Sequence, residues 1–299
     1  MKMMELEKTR KNLLIVVVII VALVAILFST QNHKIREKAQ MEELHAEDLQ
    51  SKLDNTPIIA KAVSVYNITK NNKIYSKNDQ IALPIASLAK ILTVTMALNN
   101  HRHIGGPDFT YITPEAINQA GDFGLFANEK WNINDLAKLT LIVSANDGAY
   151  TLASGPDFIQ KLNEKAKKIG AENTLFLNPT GLDLDLTHPG AFASAEDVNT
   201  MAMYALADYP EIFEATRASE INFTSLSGFQ HNFKNTNIII DKIPNLIFSK
   251  TGFTDAAGGN LTVIFKNTKG EEVLITVLGS TFAGRFDDME TLVNILYNS

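Results

Sequence analysis

The sequence predicts an α+β fold: an antiparallel β-sheet flanked by terminal helices, a mainly helical lobe beside it, and an N-terminal transmembrane helix in front. Three observations carry this. Apolar and polar residues alternate at the start of the body and over its last third, while residues 110–215 between them run mostly with helical period. Strands at both ends of a body, with helices inserted between them, argue one antiparallel sheet rather than alternating βαβ units. Finally, residues 13–28 read LLIVVVIIVALVAILF, without one polar side chain.

With Asn12, Ser29 and Thr30 at its ends, that run approaches the roughly 20 residues that cross a bilayer. Lys8, Arg10 and Lys11 precede it and suit a cytoplasmic N-terminus. Lys34, Arg36 and Lys38 follow it, but a large downstream domain is translocated largely regardless of such charges. A cleaved signal peptide is the alternative. Against it, the run is longer than a usual signal core, and the exit Phe28-Ser29-Thr30-Gln31-Asn32 offers no small-residue cleavage site. The expected organisation is a cytoplasmic tail over 1–11, an uncleaved signal anchor over 12–30, a charged Glu-rich stalk over 31–55 and a folded domain over 56–299.

In the body, alternation near residues 58–66, the pair Asn71-Asn72, and then Lys73, Ile74 and Tyr75 read as a β-hairpin. Pro84 precedes a stretch over 86–99 in which Leu88, Ile91, Leu92, Thr95 and Leu98 recur at helical spacing. Ser87 therefore falls in the first turn of a helix, with Lys90 one turn on and on the same face. Asn134 or Asp135 caps a helix carrying Leu136, Leu139 and Val143; Ser144-Ala145-Asn146 closes it, and Gly148 marks a break before the next. Strand patterns follow at 248–252, 261–266 and 272–278, with Lys269-Gly270 as the turn between the last two. A closing helix over 285–297 puts Phe286, Met289, Leu292, Val293 and Leu296 on one face. Without its N-terminal 55 or so residues the chain keeps roughly 245, enough for one sizeable core or two intimately packed lobes.

Composition excludes several function classes. A formal net charge of −6 leaves no basic footprint for nucleic acid. The absence of cysteine excludes disulfides, thiol catalysis and Cys-ligated metals. Six histidines are present, but His101 and His103 flank one loop and no metal-binding spacing such as H-E-x-x-H occurs, so they read as surface or turn residues and neither metal nor cofactor is expected.

Three short motifs stand in one order: Ser87-Leu88-Ala89-Lys90, Ser144-Ala145-Asn146 and Lys250-Thr251-Gly252. Singly, each has a plain structural reading: a helix cap, a helix terminus with small polar residues, a strand ending in a turn. Together they supply what amide cleavage through an acyl-enzyme needs: an activated hydroxyl, a donor for the leaving amine, and an anchor for a carboxylate. Serine is a poor nucleophile without a base, and no histidine lies near Ser87 in sequence. Lys90 can serve if it is neutral near pH 7, which burial beside a second cation, Lys250, would favour. Ser144 can relay a proton to the departing amine, and Asn146 can hold a substrate amide.

The set resembles that of the penicillin-binding and β-lactamase superfamily, and most closely the low-molecular-mass penicillin-binding proteins, the serine D-alanyl-D-alanine carboxypeptidases. The similarity spans residues 57–297. It rests on Pro84-Ile85-Ala86-Ser87-Leu88-Ala89-Lys90, on the segment from Ile142 through Ser144-Ala145-Asn146 to Ala149, and on Asn178-Pro179-Thr180-Gly181-Leu182-Asp183 followed by Ser194-Ala195-Glu196-Asp197. Lys250-Thr251-Gly252-Phe253-Thr254 and Thr281-Phe282-Ala283-Gly284-Arg285 complete it. The resemblance implies a DD-peptidase catalytic domain over 56–299, on the extracytoplasmic face of a bacterial cell membrane. It implies that Ser87 forms the acyl-ester, Lys90 is the general base and Ser144 the proton shuttle. Lys250, Thr251 and Arg285 would bind the D-alanine carboxylate, and the backbone N–H groups of Ser87 and Phe253 would form the oxyanion hole. The implied substrates are peptidoglycan stem peptides ending in D-Ala-D-Ala, with β-lactams as covalent inhibitors of Ser87.

There are departures. Ala89 and Ala145 stand where many members have Thr and Gly, both small replacements. The sequence ends at Ser299, without the β-rich C-terminal domain and amphipathic anchor of many members, so the N-terminal span would supply the anchoring. Three other readings remain: a DD-endopeptidase cutting cross-links with the same residues, a class A-like β-lactamase, and a catalytically inactive wall-binding scaffold. The β-lactamase needs a deacylating glutamate in an E-x-x-L-N stretch. Glu172-Asn173-Thr174-Leu175-Phe176 comes near it, with Phe176 in place of the asparagine.

Overall fold

The chain folds as two units, residues Met1–Asp54 and Asn55–Ser299. The computed structural model describes residues 2–104, 107–121 and 124–298; within the first helix the side chains of residues 16–22 and 24–26, among others, lie outside that description, as does that of His103. The first unit is one helix, α1 (Lys2–Asp54). Among the described residues no helix is long and apolar enough to cross a membrane. The side chains of residues 16–22 and 24–26, at the centre of the expected span over 12–30, lie outside that description.

The second unit begins with the expected hairpin, β1 (Ala62–Asn67) and β2 (Asn72–Lys77), which turns through Asn71 at φ +55°. A short strand β3 (Leu83–Pro84) leads into a tight 3₁₀ turn over Ala86–Ala89 and then helix α2 (Lys90–Ile104). Ser87 therefore sits in the 3₁₀ turn rather than in the α-helix proper. The pair β4 (Phe109–Tyr111) and β5 (Lys130–Asn132) follows, then α3 (Ile133–Ile142), α4 (Asn146–Leu152) and α5 (Phe158–Lys168). Asn132, not Asn134 or Asp135, caps α3: its side chain accepts from the backbone N–H groups of both. The break between α3 and α4 comes at Ser144, with φ +64°; Gly148 instead lies inside α4, where its missing Cβ leaves room for Thr140 Oγ1.

Strands β6 (Leu175–Phe176) and β7 (Ala191–Ala193) join β3 in a small sheet. Helices α6 (Ala195–Asp208) and α7 (Pro210–Phe213) come next, and then a hairpin that the sequence pattern did not single out, β8 (Glu220–Thr224) and β9 (Gln230–Lys234). Strands β10 (Leu246–Thr254), β11 (Gly258–Lys266) and β12 (Glu272–Ser280) and the closing helix α8 (Gly284–Tyr297) end the unit. The main sheet runs β10-β11-β12-β1-β2 with every neighbour antiparallel, so the last strand pairs with the first, as inferred from strands at both ends of the body. Helix α8 packs on β11 and β12, and α6 on β12 and β1. A buried apolar core joins Leu88, Ile91 and Leu92, beside Ser87 in sequence, to Leu136, Leu139, Phe213 and Phe248. β10 is an edge strand, and the site is built where its exposed edge meets the start of α2 and the α3–α4 break.

Candidate active site

Two hydroxyls, each backed by a buried amine, form the centre of the site. Ser87 and Ser144 are both half-buried, whereas Lys90 and Lys250 are 0 and 1 % exposed. Lys90 Nζ lies 2.7 Å from Ser87 Oγ, and Lys250 Nζ lies 2.9 Å from Ser144 Oγ. The i, i+3 spacing read from the sequence does place Ser87 and Lys90 together. Both serines adjoin or occupy unusual backbone: Ala86 has φ +48° and Ser144 φ +64°, conformations costing about 1–3 kcal/mol each that the surrounding packing must impose.

Lys90 is cradled by three acceptors. Besides Ser87 Oγ, its Nζ donates to Asn146 Oδ1 at 2.6 Å and to the Thr180 carbonyl at 3.0 Å. Burial lowers its pKa to about 7, opposed by the negative charge of nearby Asp147. Lys250 donates to the Thr251 carbonyl at 2.8 Å and is held well below the ordinary lysine range, first by burial and then by the Lys90 and Arg285 cations. Of the two expected causes, burial and a second cation, burial is the one that lowers Lys90, and the repulsion between cations falls on Lys250.

Asn146 is read from sequence as a holder of substrate amide. Its Oδ1 accepts from Lys90, and its Nδ2 donates to the Ala120 carbonyl at 2.6 Å. It therefore also positions the lysine, and the second Nδ2 hydrogen can still be given to a substrate.

On β10, Thr251 is 4 % exposed and its Oγ1 shares a 2.6 Å hydrogen bond with Thr236 Oγ1. Gly252 passes against the 3₁₀ turn that carries Ser87 so closely that a Cβ on it would lie 2.7 Å from the Ile85 carbonyl oxygen and 3.3 Å from Ser87 N. This close approach brings the β10 edge beside the backbone of Ser87. Phe253, next along, is half-exposed and packs edge-to-face on Phe282 at 5.0 Å between centroids.

Arg285 enters from the first turn of α8. It is 4 % exposed, donates from Nη1 to the Gly252 carbonyl at 2.8 Å, and lies 4.6 Å from the rings of Phe282 and Phe286 and 5.7 Å from that of Phe253. Its Nε has no partner among the described residues. Burial lowers its pKa to about 10, so it remains a cation at neutral pH. All nine residues selected from the sequence thus fall on the elements that meet at this site.

Several partners were not singled out from the sequence for these roles. Asn178 Oδ1 accepts from the N–H groups of Thr180 and Gly181 and from Thr180 Oγ1, a turn that aims the Thr180 carbonyl at Lys90. Asp183 accepts from Thr254 Oγ1 at 2.9 Å and from Ala256 N at 3.2 Å, tying this loop to the end of β10. The Asn-Pro-Thr-Gly-Leu-Asp run was the available signal for both. Glu172 is exposed in the turn after α5; the group of this region that reaches Lys90 is Thr180, through its carbonyl.

A serine hydroxyl on a buried lysine, with a second serine–lysine pair beside it in an α+β fold, defines a serine acyl-transferring enzyme. The chain belongs to the D-alanyl-D-alanine carboxypeptidase family, peptidase family S11, whose profile matches residues 49–281. It is 29% identical over 230 residues to the D-alanyl-D-alanine carboxypeptidase DacF of Bacillus subtilis (strain 168), covering 74% of this chain and 58% of that protein. It is 30% identical over 211 residues to a D-alanyl-D-alanine endopeptidase of Escherichia coli (strain K12), covering 67% and 65%. The chain thus spans about three-fifths of the length of the curated relatives it matches. Among solved structures, penicillin-binding protein D2 of Listeria monocytogenes in its ampicillin-bound form aligns with TM-score 0.69 at 28% identity, over 81% of this chain and 98% of that one.

Proposed function

We propose that the protein is a penicillin-sensitive serine D-alanyl-D-alanine carboxypeptidase that removes the terminal D-alanine of peptidoglycan stem peptides. The observation that carries this is the Lys90 amine, fully buried, 2.7 Å from Ser87 Oγ and titrating near pH 7. In that environment the neutral amine takes the Ser87 proton as Oγ attacks the carbonyl of the penultimate D-alanine. The N–H groups of Ser87 and Phe253 receive the oxyanion. Collapse of the tetrahedral intermediate breaks the C–N bond; Ser144, hydrogen-bonded to Lys250, passes its proton to the leaving amine and regains one from Lys90, which returns to the neutral amine. Lys250, Thr251 and Arg285 hold the carboxylate of the departing D-alanine. Water then attacks the Ser87 ester, giving up its proton to Lys90, and Lys90 returns that proton to Ser87 Oγ as the C–O bond breaks and the shortened peptide leaves. A β-lactam follows the same first steps, and the ampicillin-bound relative supports that expectation.

We propose further that the span over 12–30 crosses the cell membrane once, with residues 31–55 as a charged spacer and the catalytic domain on the extracytoplasmic face. The length and composition of the run support this part of the reading. DD-endopeptidase activity is the second reading, favoured by relatives of that name at 29–30% identity.

Labelling the full chain with fluorescent penicillin, followed by peptide mapping, tests the site; digestion of purified muropeptides tests the substrate. A label on Ser87 with release of free D-alanine is expected. Loss of cross-linked dimers without D-alanine release would select the endopeptidase, fast turnover of the label a β-lactamase, and no label on folded protein an inactive scaffold.

A further inference from the structure

Thr236 has no place in the three motifs, yet it touches one of them. It lies in the connector after β9, and that connector is firmly tied. Asn235 N donates to the Ser219 carbonyl at 2.8 Å, and Asn235 Nδ2 donates to the carbonyls of Thr216 and Ala218, both at 2.9 Å. Thr236 N donates to the Ile142 carbonyl at 3.2 Å, two residues before Ser144. This holds the Thr236 hydroxyl between two groups: Ile142 O at 3.3 Å and Thr251 Oγ1 at 2.6 Å.

Each threonine hydroxyl has one proton, and a carboxylate only accepts. If Thr236 donates to Ile142, Thr251 must donate to Thr236 and has nothing left for a substrate carboxylate. If Thr236 donates to Thr251, the Thr251 proton is free. The bond given up in the second arrangement is the 3.3 Å one, long for a hydroxyl donor, so the exchange is easy. We propose that Thr236 is a positioning residue for Thr251: by donating to Thr251 Oγ1 it directs the Thr251 proton onto the terminal carboxylate of the substrate. This rests on the carboxypeptidase reading and deepens it, because it makes recognition of a free carboxylate depend on a hydroxyl pair rather than on one threonine. Donation into Thr251 also strengthens its own donation outward. It fills a lone pair that would be orphaned once substrate covers the 4 % exposed Thr251.

The test uses full-length wild type, Thr236→Val and Thr236→Ser. Kinetics are measured on a D-Ala-D-Ala peptide, and acylation on benzylpenicillin and on its methyl ester, which lacks the carboxylate. Thr236→Val is expected to raise KM roughly five- to tenfold with kcat within about twofold, and to slow acylation by the acid by the same factor while leaving the ester unchanged. Thr236→Ser is expected to restore both to within about twofold. Equal losses on acid and ester, a fall confined to kcat, or no change in the Val variant would overturn the proposal; a Val variant that fails to fold leaves the decision to Ser, whose failure to distinguish acid from ester as wild type does would overturn it too. Wild type that reacts with neither penicillin nor peptide would instead remove the carboxypeptidase reading, and this inference with it.

Discussion

Gly181 packs so closely on Ala86 that a Cβ there would overlap the Ala86 carbonyl oxygen, and its φ is +76°. The contact joins the Asn178–Asp183 loop, which presents the Thr180 carbonyl to Lys90, to the strained residue just before Ser87. Gly181→Ala is therefore expected to move the loop or the nucleophile turn. A side chain in left-handed backbone and a clash with backbone atoms together should cost about 2–4 kcal/mol. Penicillin acylation should fall by more than the folded fraction does. Denaturant midpoints and acylation rates measured on the same sample decide it; a variant acylated at the wild-type rate would show that the contact does not hold the site.

The depressed pKa of Lys90 has a consequence for stability. In the unfolded chain this lysine titrates near 10.5, and in the folded protein near 7. Between those values the unfolded state binds a proton that the folded state does not, so Lys90 contributes a rise of stability with pH across this window; below about 7 both states are protonated and the contribution to the slope vanishes. Lys90→Met removes the group and should lower the slope by about 1.4 kcal/mol per pH unit. Chemical denaturation at three pH values between 7.5 and 9.5 reads it directly. Penicillin acylation of wild type should rise with a midpoint near the folded pKa of about 7. Parallel stability curves for the two chains, or a flat acylation profile from pH 6 to 8, would contradict a neutral Lys90.

Much of this site was legible because it rests on local rules. The spacing of Ser87 and Lys90 places them on one face of any helical turn, and period-two patterns locate β10, β11 and β12. What stayed hidden depends on distant contacts. The Lys90 pKa is lowered by burial, which no local pattern reports, and the distant acceptors around it come from Asn146 and Thr180. Asn132 rather than Asn134 caps α3 because the cap must precede the first helical residue in extended backbone, and the sequence offers three polar candidates within four positions. The β8–β9 hairpin alternates in burial, with Ile221 and Phe223 facing His231 and Phe233 inward, but each strand is five residues long and β9 buries a histidine where an apolar residue would mark the pattern.

Removal of either serine hydroxyl should separate the two serine–lysine pairs. Ser87→Ala deletes the nucleophile and should abolish acylation by peptide and penicillin alike, a loss of several kcal/mol of transition-state stabilisation. Ser144→Ala leaves Lys90 and Ser87 in place, 2.7 Å apart, but removes the partner of Lys250 at 2.9 Å. Its peptide kcat should fall about 10²- to 10⁴-fold, the usual range for loss of a general acid. A Ser144→Ala enzyme with undiminished kcat would take Ser144 out of the proton path, and labelled Ser87→Ala protein would move the nucleophile elsewhere.

Arg285 supports a final prediction, because its charge and its shape do separate things. The guanidinium is fixed by Gly252 O and by the rings of Phe282 and Phe286, each 4.6 Å away. A lysine there keeps the charge but cannot stack as a plane or hold the Gly252 carbonyl from the same position. Arg285→Lys should therefore raise KM for a carboxylate-ended peptide about tenfold, with kcat within about threefold. Arg285→Met, which keeps the ring contacts and removes the cation, should raise it further. Relief of a buried charge should keep its melting temperature near that of wild type despite the orphaned carbonyl. Steady-state kinetics on peptides ending in a free carboxylate and in a carboxamide give the discriminating measurement. If both variants lose the same factor on both peptides, Arg285 is holding β10 in place and not reading the carboxylate.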